Sequence, residues 1–222
     1  LKYGIPEFRL PNKFVDVEID TLRKMGVTFV TDCIVGKTVT YDDLHEMGFK
    51  GVFVASGAGL PRFMNIPGEN LIGIMSCNEY LTRVNLMGAA RKDWDTPVLS
   101  GKNVAVIGGG NTAMDACRTA VRLGAKEVYN IYRRTKDEMP ADMVEIEEAE
   151  EEGVIFKNLT NPIEVIADEN GHVKEVVLQV MELGEPDASG RRKPVPVEGK
   201  TETLAIDTMI LAIGQAVDAS MF

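Results

Sequence analysis

The chain has 222 residues, 45% hydrophobic and 26% charged, enough for one large or two small domains with a proper core. Its 34 acidic residues outnumber its 24 basic ones, and the formal net charge of −10 argues against nucleic acid or an anionic membrane as a partner. No apolar run approaches the roughly 18 residues of a spanning helix and no signal peptide opens the chain, so a cytoplasmic protein with no membrane segment is expected.

The opening "LKYGIPEFRLP" starts on Leu1 rather than Met and reads as the interior of something longer. From Phe14 to Met25, the residues Phe14, Val15, Val17, Ile19, Leu22 and Met25 recur at mostly helical spacing, and Gly26 closes the helix. "VTFVTDCIVG" follows as a strand, and "TYDDLHEMG" as a short helix with Thr40 as its N-cap. "GVFVASGAG" is a second strand running into a glycine-rich turn, and "SCNEYLTRVNLMG" is another helix. A polar connector with Trp94, Pro97 and Ser100 suggests a boundary near Ser100, giving segments 1–100 and 101–222.

After the boundary, "KNVAVIGGG" is the continuous hydrophobic run that a parallel strand covered on both faces needs. A helix follows, then the strand "EVYNIYRR", an acidic helix reaching Glu152, and a strand at "GVIFKNLT". Strands are expected at "PIEVIAD", "HVKEVVLQVME" and "TLAIDTMILAIG". Between the last two, "LGEPDASGRRKPVPVEGK" is rich in Pro, Gly and charge and reads as an exposed hairpin loop, with Arg191, Arg192 and Lys193 at a solvated tip. The fold class is therefore α/β: a Rossmann-like parallel sheet with an antiparallel β insertion.

Cys33, Cys77 and Cys117 lie far apart and no two form CxxC, so a disulfide framework, a zinc knuckle and a redox dithiol all lack their spacing. They read as small buried thiols. His45 and His172 sit in polar contexts with no acid or nucleophile arranged nearby, so no triad and no metal set is assigned. In the acidic stretch, Glu145, Glu147, Glu148, Glu150, Glu151 and Glu152 form the wet face of a helix whose dry face is Met143, Val144, Ile146 and Ala149.

Gly108, Gly110 and Ala113 make GxGxxA, preceded by a strand and opening directly on a helix. The first glycine allows the tight turn, the second lets a pyrophosphate approach the backbone, and the small third residue lets helix and strand pack closely. Amides from Asn111 to Met114 would point at the phosphates, assisted by the helix dipole. Ala113, Ala116, Cys117, Ala120 and Val121 form the sheet-facing stripe, ended by Gly124. At the end of the next strand, where an NAD site carries Asp or Glu for the ribose 2′-hydroxyl, stand Arg133 and Arg134. Guanidinium groups can grip a 2′-phosphate that a carboxylate would repel, so the pair favours NADP(H).

"YGIPEFRLP", "ASGAGLPRFMNIPGEN", "IGGGNTAMDACRTAVRLGAKEVYNIYRR", "DEMPA" and "AIGQ" together resemble the small (beta) subunit family of NADPH-dependent glutamate synthase. The same flavoprotein group includes the large subunit of NADH-dependent ferredoxin:NADP oxidoreductase and the N-terminal half of dihydropyrimidine dehydrogenase. The resemblance implies an NADP domain inserted into an FAD domain, with 1–100 as a partial FAD-domain segment and 101–222 as the NADP(H)-binding domain. It implies hydride transfer from NADPH to FAD, then electron transfer through iron–sulfur clusters to a partner such as the large (alpha) glutamate synthase subunit. Carried over by motif, Gly108, Gly109, Gly110, Asn111 and Thr112 would hold the pyrophosphate and Arg133 and Arg134 the 2′-phosphate. Gly214 and Gln215 would lie near the nicotinamide. Gly4, Ile5 and Pro6, with Ser56, Gly57 and Gly59, match stretches beside the flavin. No residue is assigned a catalytic role. The family's FAD-binding GxGxxG would lie upstream of "YGIP", so this chain alone is expected to bind NADP(H), to carry no FAD or iron–sulfur cluster, and not to turn over. Rival expectations are the ferredoxin:NADP oxidoreductase large subunit, and a nucleotide-binding module without catalysis.

Overall fold

The computed structural model describes residues 1–98, 101–186, 188 and 190–218. Two compact units emerge: Leu1–Leu10 with Pro61–Gly214, and Pro11–Leu60 with the described residues after Gly214. The boundary expected at Ser100 falls outside the described residues.

In the Pro11–Leu60 unit, helix α1 (Asn12–Lys24) is followed by Gly26, whose φ of 95° and N–H bond to the Arg23 carbonyl (3.0 Å) give the expected glycine stop. Helix α2 (Tyr41–Glu46) is capped as its sequence requires. The Thr40 hydroxyl accepts from the Asp43 amide (3.1 Å), and the Asp43 carboxylate accepts from the Thr40 amide (2.8 Å). The strands expected at 27–36 and 51–59 do not form: only a single bridge, Val35 with Val39, is present there. A strand exists only through the neighbour that takes its backbone hydrogen bonds. Here Val30, Ile34 and Phe53 stand exposed instead, and α1 buries none of its residues. Strand β1 (Leu60–Pro61) lies at the change of unit.

The other unit is three layers deep. Strand β2 (Ile74–Ser76) leads into α3 (Cys77–Asn85), whose first amides are met by the Ser76 hydroxyl, which accepts from the Glu79 amide at 3.2 Å. Then come β3 (Asn103–Ile107), α4 (Asn111–Arg122), β4 (Glu127–Tyr132), α5 (Met143–Glu151) and β5 (Ile155–Asn158). Three antiparallel strands follow, β6 (Thr160–Ala167), β7 (Val173–Pro186) and β8 (Arg192–Ala205), before β9 (Thr208–Leu211) returns and β10 (Gln215–Ala216) ends the described strands. The large sheet runs β2-β9-β3-β4-β5, every pair parallel.

The unbroken apolar character of β3 follows from cover on both faces. Val104 and Val106 pack with Ala113, Ala116, Cys117 and Ala120 of α4 and with the buried residues of α3 and α5. Ala105 and Ile107 turn the other way, to Val165, Val173, Val176 and Leu178 of the antiparallel sheet.

Four details differ from the sequence reading. The loop expected at 183–200 is mostly strand: β7 and β8 extend as one long hairpin, paired from Glu175 opposite Ala205 to Pro186 opposite Arg192. Pairing across the hairpin outweighs its Pro and Gly content, which is absorbed at two register shifts. The strand expected over "TLAIDTMILAIG" is two strands in different sheets, broken at Ile206 and Asp207. The short edge strand β2 carries too little pattern to be foreseen. On α5, Ile146 and Ala149 are buried as expected, but Met143 and Val144 are exposed, and Glu145 and Glu152 face arginines rather than water.

Candidate functional site

All five strands of the large sheet point one way. The chain adds β4 and β5 on one side of β3 and then returns to β9 on the other, so the strand order reverses beside the end of β3. At such a reversal the loops leave in opposite directions and open a crevice at the strands' carboxyl ends. Gly108 to Thr112, Arg133 and Arg134, and Gly214 follow the ends of β3, β4 and β9, which places them at this edge.

The first two of the three consecutive glycines are required by their neighbours, the third is not. Gly108 has φ of 140°, and a Cβ there would lie 2.3 Å from the Ala212 carbonyl oxygen. A Cβ on Gly109 would lie 2.6 Å from the Tyr132 ring. Gly110 has nothing within 4 Å of its would-be Cβ, so nothing inside the described protein demands a glycine there. Removing the side chain at that position instead leaves a backbone face open to a ligand.

Hydrogen bonding points the same way. The turn's carbonyls are consumed inside: Gly108 accepts from Asn130 Nδ2 (2.8 Å), Gly109 from the Ala141 amide (3.0 Å), and Gly110 from the Ala113 and Met114 amides (2.9 and 3.2 Å). Among the described residues, the amides of Gly109, Gly110, Asn111 and Thr112 donate to nothing. No side chain caps α4. Four successive N–H groups at a helix N-terminus with a glycine-bared approach form a cradle for a phosphate group. The Asn111 side chain is occupied elsewhere: its Nδ2 donates to Asp142 (2.9 Å) and its Oδ1 accepts from the Asp142 amide (2.8 Å), fastening the loop after Pro140 to the turn. Asn111 can therefore offer its backbone amide, not its side chain.

The two arginines sit differently. Arg133 is exposed, whereas Arg134 is buried and its Nε donates to the Arg192 carbonyl at 2.7 Å. Gly214 takes φ of 99° in open space. Gly4, Ile5 and Pro6 belong to the same unit, with the Gly4 carbonyl accepting from Asn85 Nδ2 of α3 (3.2 Å). Ser56, Gly57 and Gly59 lie in the other unit, exposed and outside any helix or strand, and Gln215 is half-buried in that unit.

Three groups escaped the sequence reading. Asn130, fully buried in the middle of β4, holds the Gly108 carbonyl; an Asn flanked by Val, Tyr and Ile in a strand was the available signal. Tyr132 forms the floor under Gly109, its hydroxyl donating to the Glu138 carbonyl at 3.0 Å. The third is an ion-pair cluster. Arg9 binds Asp115 of α4 and Glu145 of α5, each at 2.8 Å, and Arg118 binds Glu145 (3.1 Å) and Glu152 (2.9 Å). Phe8 stacks beneath the Arg118 and Arg122 guanidiniums, 4.7 and 4.0 Å from their central carbons. Burial pushes the Asp115 carboxyl up to about 6, opposed by Arg9. The cluster ties the segment carrying Gly4 to Pro6 onto the helix that starts at the glycine turn.

All three cysteines are free thiols. Burial drives the Cys77 and Cys117 thiols far above their ordinary range, so neither supplies a thiolate near neutrality. Among the described residues no His, Cys, Asp and Glu cluster could hold a metal ion, and no helix is long and apolar enough to cross a membrane.

Residues 11–221 match the family model described as pyridine nucleotide-disulphide oxidoreductase. The beta subunit of an NADP(+)-dependent formate dehydrogenase from Moorella thermoacetica is 43% identical over 99% of this chain, which covers 30% of that protein. The small chain of glutamate synthase [NADPH] from Escherichia coli K12 is 36% identical over 96% of this chain, which covers 46% of that protein. Among solved structures, FprA from Mycobacterium tuberculosis in complex with NADPH superposes with a TM-score of 0.77 at 21% identity, over 96% of this chain and 61% of that one. The chain thus spans between about a third and a half of the length of these curated relatives.

Proposed function

Because the chain belongs to the pyridine nucleotide-disulphide oxidoreductase family, we propose that its larger unit binds NADPH for an FAD-dependent oxidoreductase. The observation that carries this reading is the β3–α4 turn, with its three glycine carbonyls turned inward, four amides free among the described residues, and open space before Gly110. Gly108 and Gly109 shape the turn, and the amides of Gly109 to Thr112 would receive the pyrophosphate. Arg133 and Arg134 would receive the 2′-phosphate, and Gly214 and Gln215 would lie toward the nicotinamide. When bound, NADPH supplies the hydride; the chain's own part is to anchor the phosphates and so fix where the nicotinamide can reach.

The flavin side is proposed more narrowly. In the larger unit Gly4, Ile5 and Pro6, and separately in the smaller one Ser56, Gly57 and Gly59, would be flavin-side residues, and Val52, Phe53 and Val54 of the smaller unit form an exposed apolar run. Segments 1–100 and 101–222 would divide as flavin-side and NADP-side. In the whole protein, electrons would pass from FAD through iron–sulfur clusters to a partner subunit, the large subunit in a glutamate synthase. The identity with glutamate synthase small chains supports that role, and the identity with a formate dehydrogenase beta subunit supports a second, in which the same NADP half serves another partner.

Calorimetric titration of the intact protein tests the cofactor reading. Arg133→Ala with Arg134→Ala is expected to weaken NADPH binding about a hundredfold, since each charge-assisted hydrogen bond contributes roughly 1.5–3 kcal/mol. NADH binding should hardly move. Equal losses for both cofactors would assign the arginines to the fold or the adenine, and unchanged NADPH affinity would return them to the solvated surface.

A further inference from the structure

The β7–β8 hairpin reaches the end of β4 by two routes. At its middle, the Arg134 carbonyl accepts from the Leu159 amide (3.0 Å), and the Leu159 carbonyl accepts from the Met181 amide of β7 (2.7 Å). At its tip, Arg192, the residue paired with Pro186, offers its carbonyl to Arg134 Nε at 2.7 Å. Both arms of the hairpin are thereby attached to one residue of the candidate 2′-phosphate site.

Arg192 is itself braced against β7. The Arg192 guanidinium folds back across the hairpin, with Nε on the Gly184 carbonyl (3.1 Å) and an Nη on the Leu183 carbonyl (2.9 Å). At Gly184 a Cβ would meet the Val195 side chain at 2.9 Å, so the two strands approach closely there. Further along, Gln179 Nε2 bonds the Val197 and Lys200 carbonyls (2.7 and 2.9 Å) and closes the register shift.

The consequence falls on Arg134. Its backbone and its Nε are both held, while its two Nη nitrogens make no hydrogen bond or ion pair among the described residues and are not among the enclosed, unpartnered atoms. A long side chain that ordinarily samples many rotamers is thus fixed in one, with its two terminal donors left available. Arg133, exposed and without such a tether, has no equivalent constraint.

We propose that the β7–β8 hairpin is a cofactor-discriminating element, in which Arg192 acts as a positioning residue that presents the Arg134 guanidinium to the 2′-phosphate of NADP(H). The proposal rests on the reading of Arg133 and Arg134 given above. The hairpin lowers the entropy that Arg134 loses on binding, and it acts on NADPH only, because NADH has no group for Arg134 to meet.

The test is made on the intact protein with NADPH and NADH as separate calorimetric probes. In one variant, Leu183–Pro194 is replaced by an Asn-Gly turn, which removes the Arg192 carbonyl; in a second, Arg192→Ala releases only the tip. The shortened hairpin should weaken NADPH binding about tenfold and Arg192→Ala about threefold, with NADH unchanged in both. Adding Arg134→Ala to the shortened hairpin should cost less NADPH affinity than adding it to the natural protein, because the two changes disable the same contact. NADPH binding that survives the shortened hairpin, or an equal fall for both cofactors, overturns the proposal. If the Arg133→Ala, Arg134→Ala protein loses its NADPH preference while the shortened hairpin keeps it, only the hairpin's role fails. If neither change affects the preference, the 2′-phosphate reading fails with it.

Discussion

The two units of this chain have comparable apolar patterning and opposite outcomes. Around β3, valines and isoleucines are buried on both sides, by helices on one face and an antiparallel sheet on the other. In the Pro11–Leu60 unit, Val39 is the one buried hydrophobic residue among those described, while Phe14, Phe29 and Phe53 are 56%, 42% and 92% exposed. Hydrophobic periodicity states which residues need cover. It does not state whether the same chain provides it, and the two units show the two answers.

Hydrogen exchange should show this contrast at its largest. Amides of β3 and β9 are expected to exchange only by global opening, and those of α1 and α2 by local opening, a rate difference on the order of a thousandfold or more. Similar protection in both units would mean that the smaller one has cover of its own. Glycine substitutions sharpen the comparison next. Gly108→Ala sets a Cβ against the Ala212 carbonyl and should lower stability by about 3 kcal/mol or prevent folding, read as a shift in the urea midpoint. Gly59→Ala, in open space in the other unit, should leave the midpoint unchanged. Gly110→Val, also in open space, should keep the fold but lower NADPH affinity at least tenfold. Full affinity in a folded Gly110→Val protein would move the ligand elsewhere.

A smaller effect belongs to the ion-pair cluster of the larger unit. Burial raises the Asp115 carboxyl to about 6, above the ordinary value of 3.8, so the unfolded chain releases this proton at lower pH than the folded one. The stability it contributes is therefore complete below about 4 and is lost as pH rises through about 6, on the order of 2 kcal/mol in all. Urea midpoints at pH 5 and pH 7 should fall more steeply for the natural protein than for Asp115→Asn; parallel slopes would remove Asp115 from the account. Least of all, Phe53→Ser should change stability by less than about 0.5 kcal/mol, because that side chain contributes almost no buried area. A clear loss would show that Phe53 is covered in solution.

The sequence alone determined the β3–α4 turn, its helix stripe and its stop at Gly124. Those are local: glycine torsion, helical period and capping are decided within a few neighbouring residues. Capping at Thr40 and the doubly covered character of β3 were legible for the same reason. What only tertiary structure decided is the fate of features that need a distant partner. Strands at 27–36 and 51–59 were plausible by composition and did not form, because among the described residues no backbone lies alongside to accept their hydrogen bonds. Residues 183–200 resembled a loop and became strand, because each arm of the hairpin supplied the other's partners. Arg133 and Arg134 were equivalent letters in sequence; one became exposed and the other was fixed by a carbonyl 58 positions away. Asn130 and Asp115 likewise acquired their roles from a turn and an arginine far off in the chain. Short-range geometry is written residue by residue, whereas pairing, burial and side-chain orientation depend on which distant segment arrives, and that information exists only once the chain has packed.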